Sequence, residues 1–175
     1  MILWLNGPFG VGKSTTAQEL CRRLPRARIF DPERVGWVLR RTVGAVRHLE
    51  DYQDLPLWRS TTIGLAGRSA RTADPLIVPM TMLKEAYLHE LLDGLRERGN
   101  DVRHVLLDAS PAVLVDRIEG AGVRDPRAWR MDNVGSYLTA RRGLRTFGDV
   151  IDTDDLDAAE VSDAVEAIVR DSRPL

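Results

Sequence analysis

The sequence predicts an α/β fold, a parallel β-sheet with helices packed on both sides. Three observations predict it. Short apolar runs alternate with longer amphipathic stretches, the pattern of strands joined by crossover helices. The first apolar run, Met1 to Leu5, passes through Asn6 into Gly7-Pro8-Phe9-Gly10-Val11-Gly12-Lys13-Ser14, and a helical pattern follows at once. With 175 residues, the chain is long enough for one domain, 1–175, with a substantial core.

Each element has a local reason. Ile2 to Leu5 is the first strand, and Ser14 to Leu24 reads as the first helix. Ala27 to Phe30 is a second short strand, closed by Asp31-Pro32. A helix starts near Glu33 and carries Val35, Val38, Leu39 and Val43 on one face. Another covers Leu57 to Arg71, with Pro56 suited to its first turn. Leu76 to Met80 reads as a buried strand with Pro79 at its end or at a bulge. Lys84 to Arg98 is helical and stops at Gly99-Asn100. Val102 to Leu107 is a strand, and Ser110 caps a helix opening with Pro111. Glu119 to Trp129 holds two glycines, a proline and two arginines and reads as a mobile loop, part of an expected lid over residues 117–130. Asn133 to Arg145 is helical, Val150 to Asp152 a last strand, and Asp157 to Arg170 a closing amphipathic helix.

The glycine loop carries the chemistry. Gly7 to Ser14 matches G-x-x-x-x-G-K-[ST] at every fixed position. Glycines let successive backbone N–H groups face one centre, and the positive end of the next helix points there too. Lys13 adds a full charge for the β- and γ-phosphates, and the Ser14 hydroxyl can ligate Mg²⁺. Lys13 and Lys84 are the only lysines in an arginine-rich chain. A lysine in the loop therefore points to a need for a compact point charge. Gly7, Phe9, Gly10, Val11, Gly12, Lys13, Ser14 and Thr15, with Arg117 and Asp154 further along the chain, are the expected nucleotide-binding residues.

Composition narrows the partners. The net charge of −1 gives no argument for nucleic acid. No apolar run approaches the roughly 20 residues of a membrane span, and the apolar start is too short for a signal peptide. A cytoplasmic protein is the expectation. Cys21 is the only cysteine, and His48, His89 and His104 lack metal-ligand spacing. Arg22-Arg23 and Arg141-Arg142 read as solvated helix faces.

Other residues complete the expected site. Asp31 follows the second strand, where carboxyl ends of parallel strands line the ligand crevice. It can accept a proton from a substrate hydroxyl or help hold Mg²⁺, or it merely opens a turn. Glu33 is the reserve acid, or a first-turn complement to the helix dipole. No acid ends the third strand, where Met80 leads into Thr81, and this argues against a motor-type ATPase. Arg117 and Arg124, with Arg127 and Arg130, could stabilise transferring charge from a lid. Topology alone places Asp154-Asp155 at the edge of a bound base. The acceptor side falls in residues 33–70, with Trp37, Arg40, Asp51, Tyr52, Asp54, Trp58 and Arg59. Aromatics there suit a flat ring and arginines an anionic group; either tryptophan could instead be core.

These stretches bring out a resemblance. WLNGPFGVGKSTTAQEL, DPERVGWVLR, DYQDLPLWR, LIVPMT and a lone tryptophan in the lid region, Trp129, occur in the order seen in the tunicamycin-resistance (TmrB-like) group of P-loop proteins, within the nucleoside and small-molecule kinase superfamily. The chain resembles that group over most of its length, and the second and third stretches are the most particular. More distantly it is similar to chloramphenicol phosphotransferase and shikimate kinase, in which an aspartate after strand two works near the acceptor hydroxyl, the place of Asp31. The resemblance implies a P-loop NTPase fold with five parallel strands in the order 2-3-1-4-5, ATP at Gly7 to Ser14, and protection against tunicamycin, a uracil-containing nucleoside antibiotic with a lipid tail.

The expected function is ATP- and Mg²⁺-dependent phosphoryl transfer to a hydroxyl of a nucleoside-like small molecule, tunicamycin foremost. Lys13 and the loop amides hold the phosphates, Ser14 and Asp31 the metal, Asp31 serves as base, and Arg117 with Arg124 stabilises charge. Two alternatives stay open at this level. One is sequestration of the antibiotic without chemistry; the other is a housekeeping nucleoside or nucleotide kinase. The sequence leaves monomer and homodimer equally open.

Overall fold

The structure is a computed structural model and describes residues 1–42, 51–120 and 127–171, with the side chains of 127–131 left aside. Five parallel strands form one sheet: β1 (Ile2–Asn6), β2 (Arg28–Ile29), β3 (Leu76–Pro79), β4 (Val102–Asp108) and β5 (Asp149–Asp152). Their order is β2-β3-β1-β4-β5, as the resemblance implies. β1 is central, with Ile2 beside Leu76 on one flank and Val102 on the other.

Every residue of β1 is buried, so both faces of the sheet are covered. The covering helices are α1 (Lys13–Arg23), α2 (Pro32–Thr42), α3 (Pro56–Ser69), α4 (Glu85–Arg96), α5 (Pro111–Gly120), α6 (Arg127–Leu144) and α7 (Ala158–Asp171). A 3₁₀ turn, Tyr52–Asp54, precedes α3. α1 and α7 pack together and are tied by the Arg23–Asp163 ion pair, while α3 packs on α4 and α5 on α6. Leu3, Leu5, Ile77, Leu106, Leu88 and Leu91 are among the fully buried side chains of the core between them.

Two elements differ from the sequence reading. β2 is only two residues long and exposed, because it is an edge strand with β3 as its single partner. α6 begins at Arg127, six residues before the expected Asn133. The glycines and the proline that suggest a loop, Gly120, Gly122 and Pro126, all precede its first residue. The stems of the expected lid are thus helical at 117–120 and from 127, and residues 121–126, Arg124 included, lie outside the described residues.

Candidate active site

The phosphate loop leaves β1 at Asn6, whose side chain braces the turn. Asn6 Oδ1 accepts the N–H groups of Gly7 (2.8 Å) and Met82 (2.9 Å), and Asn6 Nδ2 donates to Met82 O (3.0 Å). Gly7 sits at φ +148°, and a Cβ there would fall 2.5 Å from Leu107 O. Gly10 has φ +81°, and a Cβ there would meet Ile118 of α5 at 2.9 Å. Both positions therefore need glycine for conformation and for close approach.

α1 starts at the end of this loop. Gly12 is its N-cap, no side chain caps its first turn, and no acid occupies that turn. The positive helix end and its N–H groups are left to an incoming anion. Lys13 Nζ donates to Gly7 O (2.9 Å) and Pro8 O (2.7 Å), which hold the ammonium against the loop with one N–H to spare. Burial lowers its pKa to about 7, and nearby Glu33 acts in the opposite direction. A bound polyanion would favour the charged form of Lys13 in the same way. The donor set fits a nucleotide triphosphate, and Ser14 supplies a hydroxyl of the kind Mg²⁺ accepts beside it.

Two cavities flank the loop. The first, about 220 Å³, is lined by Ser14, Gln18, Ile29, Asp31, Glu33 and Pro79. It brings together the two acids and the hydroxyl singled out from the sequence. Asp31 also does what a turn residue does: its Oδ1 accepts the Glu33 N–H at 2.9 Å and opens α2. The second cavity, about 250 Å³, is lined by Gly10, Gly12, Thr15, Arg117, Leu156 and Asp157. Val11 lines it too, whereas Phe9 stands part-exposed in the loop's turn. Asp154 does not line this cavity. Its carboxylate accepts the Ser110 N–H at 2.7 Å, which holds its pKa below the usual carboxylate range. The acid on that wall is Asp157.

The acceptor side is rearranged relative to expectation. Trp58 is fully buried, its indole N–H donating to Pro32 O at 3.1 Å. It is a core residue that pins the start of α2 and presents no ring to a ligand. Arg59 is also buried; Nε binds Glu90 at 2.5 Å, Nη1 donates to Gln53 O at 2.7 Å, and the guanidinium lies 4.1 Å over the Tyr87 ring. Those partners consume it, and it joins α3 to α4. Tyr52 packs on Trp58 with ring centroids 5.3 Å apart, and the Arg40 guanidinium lies 5.4 Å from the Tyr52 ring. Burial and the nearby Glu33, Asp51 and Asp31 carboxylates push the Tyr52 phenol upward. These carboxylates therefore share one neighbourhood with Tyr52. Trp37 stands 58% exposed on α2, one turn beyond Glu33, with the Arg41 guanidinium 4.2 Å from its ring.

Thr81 fills the place where an acid is missing after β3. Its hydroxyl donates to Gly7 O at 2.9 Å, and its carbonyl accepts from Gln53 Nε2 at 3.1 Å. The 3₁₀ turn is thereby linked to the phosphate loop.

Sequence reasoning passes over one cluster. Asp108, fully buried at the end of β4, accepts from Tyr137 Oη (2.6 Å) and Arg141 Nε (2.9 Å) and pairs with Arg145. Arg141 is thus a partner of a buried acid, a correction to its reading as a solvated face. The sequence carries a signal: an apolar run ending in an acid, and Tyr137 and Arg141 four residues apart on α6, with Arg145 four residues further on, just past its end.

Comparison with known proteins places the chain in a family. The sequence profile of the AAA domain family matches residues 2–128. Among solved structures, the tunicamycin resistance protein of Deinococcus radiodurans is 34% identical, with TM-score 0.75, covering 96% of this chain and 94% of that one. A gluconokinase from Sinorhizobium meliloti 1021 is 19% identical, with TM-score 0.65, over 97% of this chain and 91% of that one. A shikimate kinase from Bacteroides thetaiotaomicron is 16% identical, with TM-score 0.59, over 97% of both chains. These last two share the fold. No curated protein matches the chain. No helix among the described residues is long and apolar enough to cross a membrane.

Proposed function

Because the chain belongs to the AAA domain family and, within it, to the tunicamycin-resistance group of P-loop proteins, we propose that it is an ATP-dependent small-molecule kinase. The acceptor is a hydroxyl of a nucleoside-like compound, with tunicamycin the first candidate. The observation that carries the reading is the shared cavity of Ser14, Asp31 and Glu33 beside an uncapped, lysine-bearing phosphate loop. A hydrolase needs only water at that place; a built side cavity with a carboxylate serves an acceptor alcohol.

The residues divide the work. Loop N–H groups and Lys13 hold the β- and γ-phosphates. Ser14, with Asp31 near it, would hold Mg²⁺, which neutralises charge on the phosphates when bound. Arg117, expected from the sequence to stabilise the transferring charge, instead bounds the second cavity together with the loop; that cavity is assigned to the nucleoside end of ATP. Asp31 accepts the acceptor's proton as its oxygen bonds to the γ-phosphorus and the bond from that phosphorus to the bridging oxygen of ADP breaks. Glu33, Arg40 and Trp37 border the acceptor.

The test is the intact mass of tunicamycin after incubation with the protein, ATP and Mg²⁺. A product heavier by one phosphate is expected. Unmodified drug in a tight complex would mean sequestration, and fast turnover of plain nucleosides instead would mean a general nucleoside kinase.

A further inference from the structure

Arg117 is the only side chain from α5 on the wall of the second cavity, and its hold is specific. Nη2 donates to Thr153 O at 2.6 Å and Nη1 to Thr153 Oγ1 at 2.9 Å. Thr153 follows β5 and is fully buried. Its hydroxyl and its backbone N–H both reach Asp108 O, at 3.0 and 2.9 Å.

Donor and acceptor chemistry fixes the direction of this relay. A guanidinium only donates, so the hydroxyl must accept from Arg117. Its single proton then goes to Asp108 O. Two roughly parallel bonds to one residue set the plane of the guanidinium; one bond alone would let it swing about the remaining contact. Asp108 O is itself steady, because the Asp108 side chain is tied to Tyr137, Arg141 and Arg145. A flat cation in a fixed plane, facing a cavity bounded by loop glycines, suits the face of an aromatic base.

We propose that Thr153 is a positioning residue of the nucleotide site, whose hydroxyl joins Asp108 to Arg117 and sets the guanidinium plane for a nucleobase. The proposal rests on the reading that the second cavity takes the nucleoside end of ATP.

Calorimetry with two probes, Mg·ATP and Mg·tripolyphosphate, tests it, since only the first carries a base. Thr153→Val keeps the shape and removes the hydroxyl. It should weaken ATP about tenfold, the worth of one hydrogen bond, and leave tripolyphosphate unchanged. Thr153→Ser should restore ATP affinity, which a packing role of the methyl group would not allow. Arg117→Ala and Arg117→Lys should each weaken ATP and spare tripolyphosphate, and they report even if the valine variant fails to fold. Unchanged ATP affinity in Arg117→Ala overturns the cavity reading itself. Weakening in Arg117→Ala with none in Thr153→Val, or equal loss of both probes in Thr153→Val without rescue by serine, overturns the role of Thr153.

Discussion

The indole N–H of Trp58 donates to the carbonyl of Pro32 at 3.1 Å, so a core side chain of α3 holds the first turn of α2. That turn carries Asp31 and Glu33 into the acceptor cavity. Trp58→Phe keeps most of the buried ring and loses the bond. It should reduce stability by about 1–2 kcal/mol, read by urea denaturation, and lower turnover while sparing ATP affinity. Weakened ATP affinity with an unchanged kcat at saturating ATP would place Trp58 in the other half of the site.

Gly36 faces the Tyr52 ring so closely that a Cβ would lie 2.7 Å from it. Gly36→Ala should destabilise the protein by about 1–3 kcal/mol through overpacking. Tyr52→Leu in the same chain should recover part of that loss, because it clears the space. A double-mutant cycle measures the recovery; strict additivity would deny the contact.

Asp108 is fully buried with three partners, whereas the Arg145 side chain is 44% exposed. The same ion pair should therefore give unequal losses from its two ends. Asp108→Ala should cost about 3 kcal/mol, Arg145→Ala less than about 1 kcal/mol. Thermal and urea unfolding of both variants check the ratio, and equal losses would contradict it.

His104 is buried on β4, and neither ring nitrogen has a hydrogen-bond partner. Burial depresses its pKa from 6.5 to about 4, with the Arg96 charge acting in the same direction. The unfolded chain then binds the proton first. The stability contribution is complete above pH 6.5 and is lost as pH falls from there to about 4. The loss is of order 3 kcal/mol, since each pKa unit is worth ~1.4 kcal/mol. His104→Leu should flatten the stability profile in that window, whereas an unchanged slope would assign the acid sensitivity to carboxylates.

The parts of the site that are contiguous in sequence were readable there, and the parts built across the fold were not. The loop from Gly7 to Ser14 announces itself because glycine, lysine and serine each answer a local demand. The place of Asp31 on the wall of the first cavity is legible for a similar reason, since it lies beside the strand that positions it. Trp58 and Arg59 were not, since an amphipathic side chain at helical spacing suits a core and a ligand equally. Only packing reveals that Glu90 and Gln53 consume the arginine. Asp108 and Thr153 draw their partners from 29 to 45 residues away; the spacing of Tyr137, Arg141 and Arg145 puts them on one face without naming the acid they hold. The sheet order came from family resemblance, because periodicity separates strands from helices without ordering them.

Asp31→Asn is the sharpest probe of the catalytic reading. Asparagine keeps an Oδ1 to accept the Glu33 N–H, so the start of α2 is preserved while the base is removed. Phosphate transfer from ATP to tunicamycin should fall by about 10²–10⁴-fold, with the affinity for metal-free ATP and the unfolding midpoint unchanged. If the asparagine variant phosphorylates the drug at the wild-type rate, Asp31 is not the base, and the acceptor cavity drawn around it is wrong.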